Sequence, residues 1–207
     1  MPLSVEHKAR TRDKIVAAAA GLLRTHGPAA TGVAQVMKRA GLTHGGFYAH
    51  FPSKEEMVAA AFGAAVVDSA NKLGDGLDDL PRAEKLRHYV GRYLSRAHRD
   101  NPAEGCPVAA LGSDLARAEP GARQGFEHGI RHLMADLKKV LPHDDNDKDE
   151  DDGNLLGTMA MMLGGLMLSR AVADMDFSDH ILRSVRHTAL GLAEGRSEHR
   201  VEHGAKQ

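Results

Sequence analysis

With 207 residues the chain is long enough for one domain, or two small ones, around a real core. A single cysteine excludes an intrachain disulfide framework and fits a reducing cytoplasm, and the charges crowded between Lys8 and Lys14 exclude a signal-peptide core. The net charge of −1 hides an asymmetry: residues 1–54 carry +6 and the remainder −7, a basic end suited to nucleic acid on an acidic body.

Ala, Leu, Met and Gly dominate the apolar set without β-branched runs, which favours an all-α chain. The first helix is predicted from about 8 to 25, with Ile15, Val16, Ala19, Leu22 and Leu23 on one face and Gly27-Pro28 as its stop. Val33, Val36, Met37 and Ala40 mark a second helix over about 33–40, which Gly41 ends. A short third helix follows over about 44–50. Helix, glycine turn, short helix is the helix-turn-helix order. Ser53 with Glu56 three residues on reads as a capping box opening a fourth helix, about 54–70.

Beyond a loop at 74–81, Leu86, Tyr89, Val90, Tyr93, Leu94 and Ala97 keep helical spacing and predict one helix ended by Asn101-Pro102. Further helices are predicted over about 108–118, from Phe126 to Leu141, over about 154–174 and over about 178–194. Breaks fall at Glu119-Pro120-Gly121 and in an acidic loop, 142–153. The run from Gly153 to Ser169 is uncharged for 17 residues, short of the roughly 20 a membrane span needs, so it is read as a buried helix and no membrane partner is expected. The polar segment 196–207 is expected to fray.

The residues Thr11-Arg12-Asp13-Lys14-Ile15, His26-Gly27, Ala40-Gly41-Leu42-Thr43 and Gly46-Phe47-Tyr48-Ala49-His50-Phe51-Pro52-Ser53-Lys54-Glu55-Glu56 stand at fixed spacing. Together they resemble the DNA-binding end of TetR/AcrR-family transcriptional regulators, in motif detail over about 8–62 and in helical layout over the whole chain. The resemblance implies a three-helix DNA-binding domain at 1–54, a ligand-binding and dimerisation domain of about six helices at 55–195, and a tail at 196–207. It implies a homodimer on a double-stranded DNA operator, most simply a cytoplasmic repressor released by a small-molecule effector. The alternative is an interaction or scaffold protein derived from this fold.

By the same resemblance Thr43, His44, Gly45 and Gly46 meet the major groove, Tyr48 and Lys54 hold phosphates, and His50 joins them. Thr43 is expected to cap the recognition helix. The sequence departs from the family pattern at Gly32, where a Ser or Thr usually caps the second helix, and at Ala34, where an Arg often contacts DNA. Gly costs only a few tenths of a kcal/mol as a cap, and Gln35 and Lys38 stand in for the missing contact. Two glycines offer no base-reading side chain, so readout leans on His44, backbone approach or DNA shape.

In the body, Tyr89, Tyr93, Phe126, Met134, Met159 and Met162 are the candidates for lining an effector pocket. Cys106 precedes a helix, where the macrodipole favours thiolate, so it is a candidate redox sensor; a buried structural thiol is the other reading. Gly-Cys-Pro at this point is similar to one branch of the family in which some members sense oxidants or electrophiles. His128 and His132 make a pair without further ligands, and 142–153 lacks the glycine and glutamate of a calcium loop, so no metal or cofactor is expected. No Gly-x-Ser-x-Gly elbow or P-loop occurs, and no enzyme is expected. Leu155, Met159, Met162, Leu163, Leu166 and Met167 on one helix, with Ile181, Leu182, Val185, Ala189 and Leu192 on the next, predict a four-helix dimer interface; Gly157, Gly164 and Gly165 would let the two chains approach closely.

Overall fold

The computed structural model describes residues 5–117, 120–141 and 148–193; among these the regular structure is helical and no strand occurs. α1 (Val5–Ala30) buries Ile15, Val16, Ala19, Leu22 and Leu23. Gly27, at φ 76°, breaks its regular run where expected, and Pro28 opens one further turn. α2 (Val33–Arg39) buries Val36 and Met37 and has Gly32 at its N-cap without a side-chain cap. Gly41, at φ 72°, then turns the chain into a 3-10 helix, His44–Ala49.

Ser53 accepts a hydrogen bond from the Glu56 N–H at 3.1 Å and opens α3, Lys54–Gly74. This helix packs on α1 along one side and on α7 along another, and so joins the N-terminal bundle to the body. The six helices of the body are α4 (Arg82–Tyr93), α5 (Arg96–Asp100), α6 (Pro107–Leu115), α7 (Pro120–Val140), α8 (Lys148–Ala171) and α9 (Met175–Ala193), with a 3-10 turn at Pro102–Glu104. No helix among the described residues is long and apolar enough to cross a membrane.

Several expectations need correction. The single helix expected through Leu86 and Ala97 is two helices. Leu94 leaves the helical region (φ −93°, ψ 57°), and the Ser95 hydroxyl oxygen accepts from the His98 N–H at 3.1 Å to start α5. Ala97 consequently faces solvent. Residues 148–153 of the expected acidic loop are helical in α8; 142–147, like 118–119 and the tail at 196–207, lie outside the described residues.

Two of the three glycines expected to bring two chains together, Gly157 and Gly165, act within one, whereas Gly164 has nothing packed on it in this chain. A Cβ at Gly165 would meet Val185 at 2.7 Å and one at Gly157 would meet Leu192 at 2.8 Å, so both seat α9 on α8. The apolar side of α9 is largely consumed by this packing, and its Arg183, Ser184, His187 and Thr188 face outward. On α8 an apolar stripe remains uncovered in the chain: Leu156, Met167 and Leu168 are exposed, with Ala160 between them.

Candidate nucleic-acid interface

Two aromatics fix the recognition helix from beneath. Phe47 and Phe51 are each 1% exposed and stack with centroids 5.9 Å apart. Tyr48, adjacent in sequence, is 70% exposed, its ring edge-on to Phe47 at 5.2 Å. In a helix of about three residues per turn neighbouring side chains point about 120° apart, so Phe47 faces inward while Tyr48 next to it faces out. Thr43, His44 and Gly45 are exposed at the helix start, and Gly46 rests against Met37. Gln35 and Lys38 are exposed on α2. Thr43 occupies the N-cap position in extended conformation but its side chain makes no cap hydrogen bond, contrary to expectation; its hydroxyl is left for another acceptor or donor.

Lys54 does not extend freely. Its Nζ donates to the Pro28 carbonyl at 2.8 Å, linking the start of α3 to the last turn of α1. An ammonium has three N–H donors, so a phosphate can share it only from the remaining side. His50 is half-buried with Nδ1 unpartnered. Burial holds its imidazole below the usual histidine range, helped by the nearby charges of Lys8, Arg12 and His7. Arg12 lies 4.6 Å above the Phe51 ring, a cation–π contact. The first turns of α1 thus bring Lys8 and Arg12 beside the recognition helix. Sequence reasoning counted them as charge but missed them as site residues; their i, i+4 spacing was the available signal.

The six residues expected to form an effector pocket lie in or against the core. Tyr89, Tyr93, Met159 and Met162 are buried in the core, while Phe126 and Met134 pack at its edge. Aromatics and methionines at helical spacing serve a core as readily as a pocket, and here the core takes them. Tyr89 reaches a cleft of about 480 Å³ between α3, the 74–78 loop, α4 and α7, in company with Asn71, Lys85, His132, Asp136 and Lys139. The Tyr89 hydroxyl and Asp136 Oδ2 both lack a hydrogen-bond partner, and burial together with Asp136 pushes the phenol up.

Cys106 is 2% exposed at the N-cap of α6. Burial pushes its thiol up, outweighing the Tyr93 hydroxyl, the Ala109 and Val108 N–H groups and the charge of Arg170. The macrodipole does not win here, and the expectation of a thiolate-prone residue is corrected. The Cys106 N–H donates to His98 Nε2 at 2.8 Å, and His98 Nδ1 lies 2.7 Å from the Tyr93 carbonyl. Nδ1 must therefore carry the proton. Burial, with Arg170 and Arg24 nearby, holds this imidazole down to about 4. His132 lies 3.5 Å from Asp136, and no cluster of three metal-ligating side chains occurs among the described residues.

A glycine turn leading into a short helix anchored by two phenylalanines, set at the basic end of an all-α chain, defines a helix-turn-helix transcriptional regulator. The comparisons agree. The model for bacterial regulatory proteins of the tetR family matches residues 15–61. The chain is 27% identical over 165 residues to YxaF, an uncharacterized HTH-type transcriptional regulator of Bacillus subtilis (strain 168), covering 77% of this chain and 84% of that protein. It is 23% identical to the HTH-type regulator LmrA of the same organism, covering 77% and 86%. A TetR-family regulator from Cytophaga hutchinsonii superposes with a TM-score of 0.72 at 21% identity, covering 92% and 98%. The reduced form of NemR from E. coli superposes at 0.69 and 18% identity, covering 86% and 96%. Residues 15–61 thus match a tetR-type DNA-binding domain, in a chain whose fold is that of TetR-family regulators.

Proposed function

We propose that the protein is a homodimeric repressor that reads a palindromic operator with residues 43–50 and lets it go when the body receives a signal. The observation that carries this reading is the alternation at the recognition helix: Phe47 and Phe51 buried, Tyr48, Thr43, His44 and Gly45 facing outward. Residues 1–54 form the reading head in this account, α3 the link, and 55–195 the sensing and pairing domain. Thr43, His44, Gly45 and Gly46 enter the major groove; Tyr48 and Lys54 hold phosphates, with Gln35, Lys38 and His50 alongside and Lys8 and Arg12 from α1 as additions.

The uncovered stripe of Leu156, Ala160, Met167 and Leu168 supports pairing of α8 with α8 of a second chain, with the exposed Met175 and Phe177 at its margin. For the signal, the cleft at Tyr89 and Asp136 favours a small ligand over modification of Cys106, whose thiol is buried and held in its neutral form. Such a ligand must prefer a conformation in which the two heads are wrongly spaced, because equal affinity shifts nothing.

The test is selection of an operator from random DNA, followed by binding titrations across salt concentration. The expected result is an inverted repeat with half-site centres about 34 Å apart and affinity falling steeply with salt. No preferred sequence and no salt dependence would leave the interaction-module reading. Release from the selected operator, measured for wild type and Cys106→Ser with oxidants and with small molecules, separates the two inputs.

A further inference from the structure

A second cleft, of about 440 Å³, lies where α1 and α2 meet α3 and the 3-10 turn Pro102–Glu104. Its floor is made of side chains too small to fill it: Val16, Ala17, Ala20 and Gly21 of α1, with Ala64 and Ala65 of α3. A Cβ at Gly21 would lie 3.5 Å from Arg39 Nη2 and 4.0 Å from the Ala103 carbonyl oxygen. The Arg39 guanidinium therefore lies across this glycine at the inner end of the cleft.

The inner end holds three cations, Arg24, Arg39 and Lys72, and two carboxylates, Asp68 and Glu104. Lys72 bonds both carboxylates at 3.1 Å, and Arg24 approaches Asp68 at 3.6 Å while donating to the Gly105 carbonyl at 3.0 Å. Both carboxylates are thus occupied, and Arg39 has no ion pair or hydrogen bond among the described residues. Arg39 is therefore the one cation of the three without a carboxylate, although with Asp13 counted the lining is formally neutral. Independently, Arg24 is only 9% exposed and its Nε finds no acceptor, so a buried donor remains unmet. At the outer end stands Asp13, which disfavours a second negative charge there.

We propose that this seam binds a small monocarboxylate, its anionic group at Arg39 and Arg24 and a short apolar body laid along the alanine floor. A guanidinium fork matches a carboxylate in shape as well as charge, and one carboxylate would pair the unpartnered Arg39. The walls come from the DNA-reading bundle on one side and from α3 and the 3-10 turn on the other, so an occupant holds the two together. The site shares no lining residue with the cleft at Tyr89.

The experiment is calorimetric titration of the full-length, DNA-free protein with benzoate and butyrate, and with benzamide and butyramide as neutral counterparts. The carboxylates are expected to bind one per chain, and the amides about tenfold more weakly or less. Arg39→Ala is expected to weaken the carboxylates about tenfold, with the amides unaffected. Ala17→Leu, at an exposed floor position, should abolish binding with an unchanged thermal melt; Ala64→Leu on the opposite wall serves if the first variant unfolds. Equal affinity for benzoate and benzamide would overturn the proposal. So would binding that survives both Arg39→Ala and a floor-filling variant, or no binding of either carboxylate at millimolar concentration.

Discussion

At the recognition end, Thr43, His44, Gln35 and Lys38 turn outward, and the apolar anchors beneath them are few and local: Phe47, Phe51, Met37. At the bend between α4 and α6 the strong donors turn onto the chain's own carbonyls instead. Arg170 donates to the carbonyls of Arg99 and His98, Arg24 to that of Gly105, and Arg186 to that of Leu94. Arg99 bonds Ser178 and Asp179 at 2.8 Å each. Polar groups near the DNA face are left for a second molecule, whereas those at the bend hold helices far apart in sequence in one arrangement. A change at the first should therefore alter binding, and a change at the second should alter stability.

The comparison is sharpest within the head, because one residue there belongs to the stabilising kind. Phe47→Ala should destabilise the fold by about 3–5 kcal/mol, read as a lowered midpoint in urea, with operator binding lost as a consequence. An unchanged midpoint would mean that the ring does not anchor the recognition helix. At the bend, acid should act through His98. Its folded-state value is about 4, below the roughly 6.5 of an unfolded chain. The unfolded chain then binds more protons, so the full contribution is present above about 6.5 and is lost as pH falls towards 4. The loss is of order 3 kcal/mol; unfolding at stepped pH should show that slope, and His98→Gln should flatten it. Between α8 and α9, Gly165→Ala should cost about 1–3 kcal/mol by overpacking against Val185, again visible in urea. The smallest stability effect belongs to Tyr48→Ala: within about 0.5 kcal/mol, yet weaker operator binding on every sequence, with the salt slope unchanged because a neutral phenol displaces no counterion. A Tyr48 variant that unfolded like the Phe47 one would erase the distinction between the two faces.

The head was legible because its signals are local. Ser53 and Glu56 are three residues apart, Gly41 carries its own turn, and Phe47, Tyr48 and Phe51 lie within five residues of one another. The bend was not, because the apolar period through Leu86 and Ala97 runs on undisturbed across the break at Leu94. What stabilises the break is the Arg186 guanidinium, 92 residues away, donating to the Leu94 carbonyl at 2.6 Å; no spacing rule reports it. The buried Arg24 and Arg99 were equally hidden, since sequence reads an arginine as surface charge until a partner is known. For the effector candidates the reason is different: composition at helical spacing cannot distinguish a lining from a core; Tyr89 reaches a cleft, and the other five pack in or against the core.

The hydrogen bond from Arg186 to Leu94 also sets an order of assembly. Synthesis runs from the N-terminus, so residues 86–97 leave the ribosome as an uninterrupted amphipathic run well before α9 exists to clamp the break. The anchors of the recognition helix, Phe47 and Phe51, are local and can be in place by then, while α1 still waits for the turn at Pro102–Glu104 and for α6. The joint between α4 and α5 is thus the last piece of the chain to be set, and a nascent protein acquires its grip before its hinge. Amide exchange on a chain truncated before Met175 should show this, with protection lost at His98 and kept at Glu56.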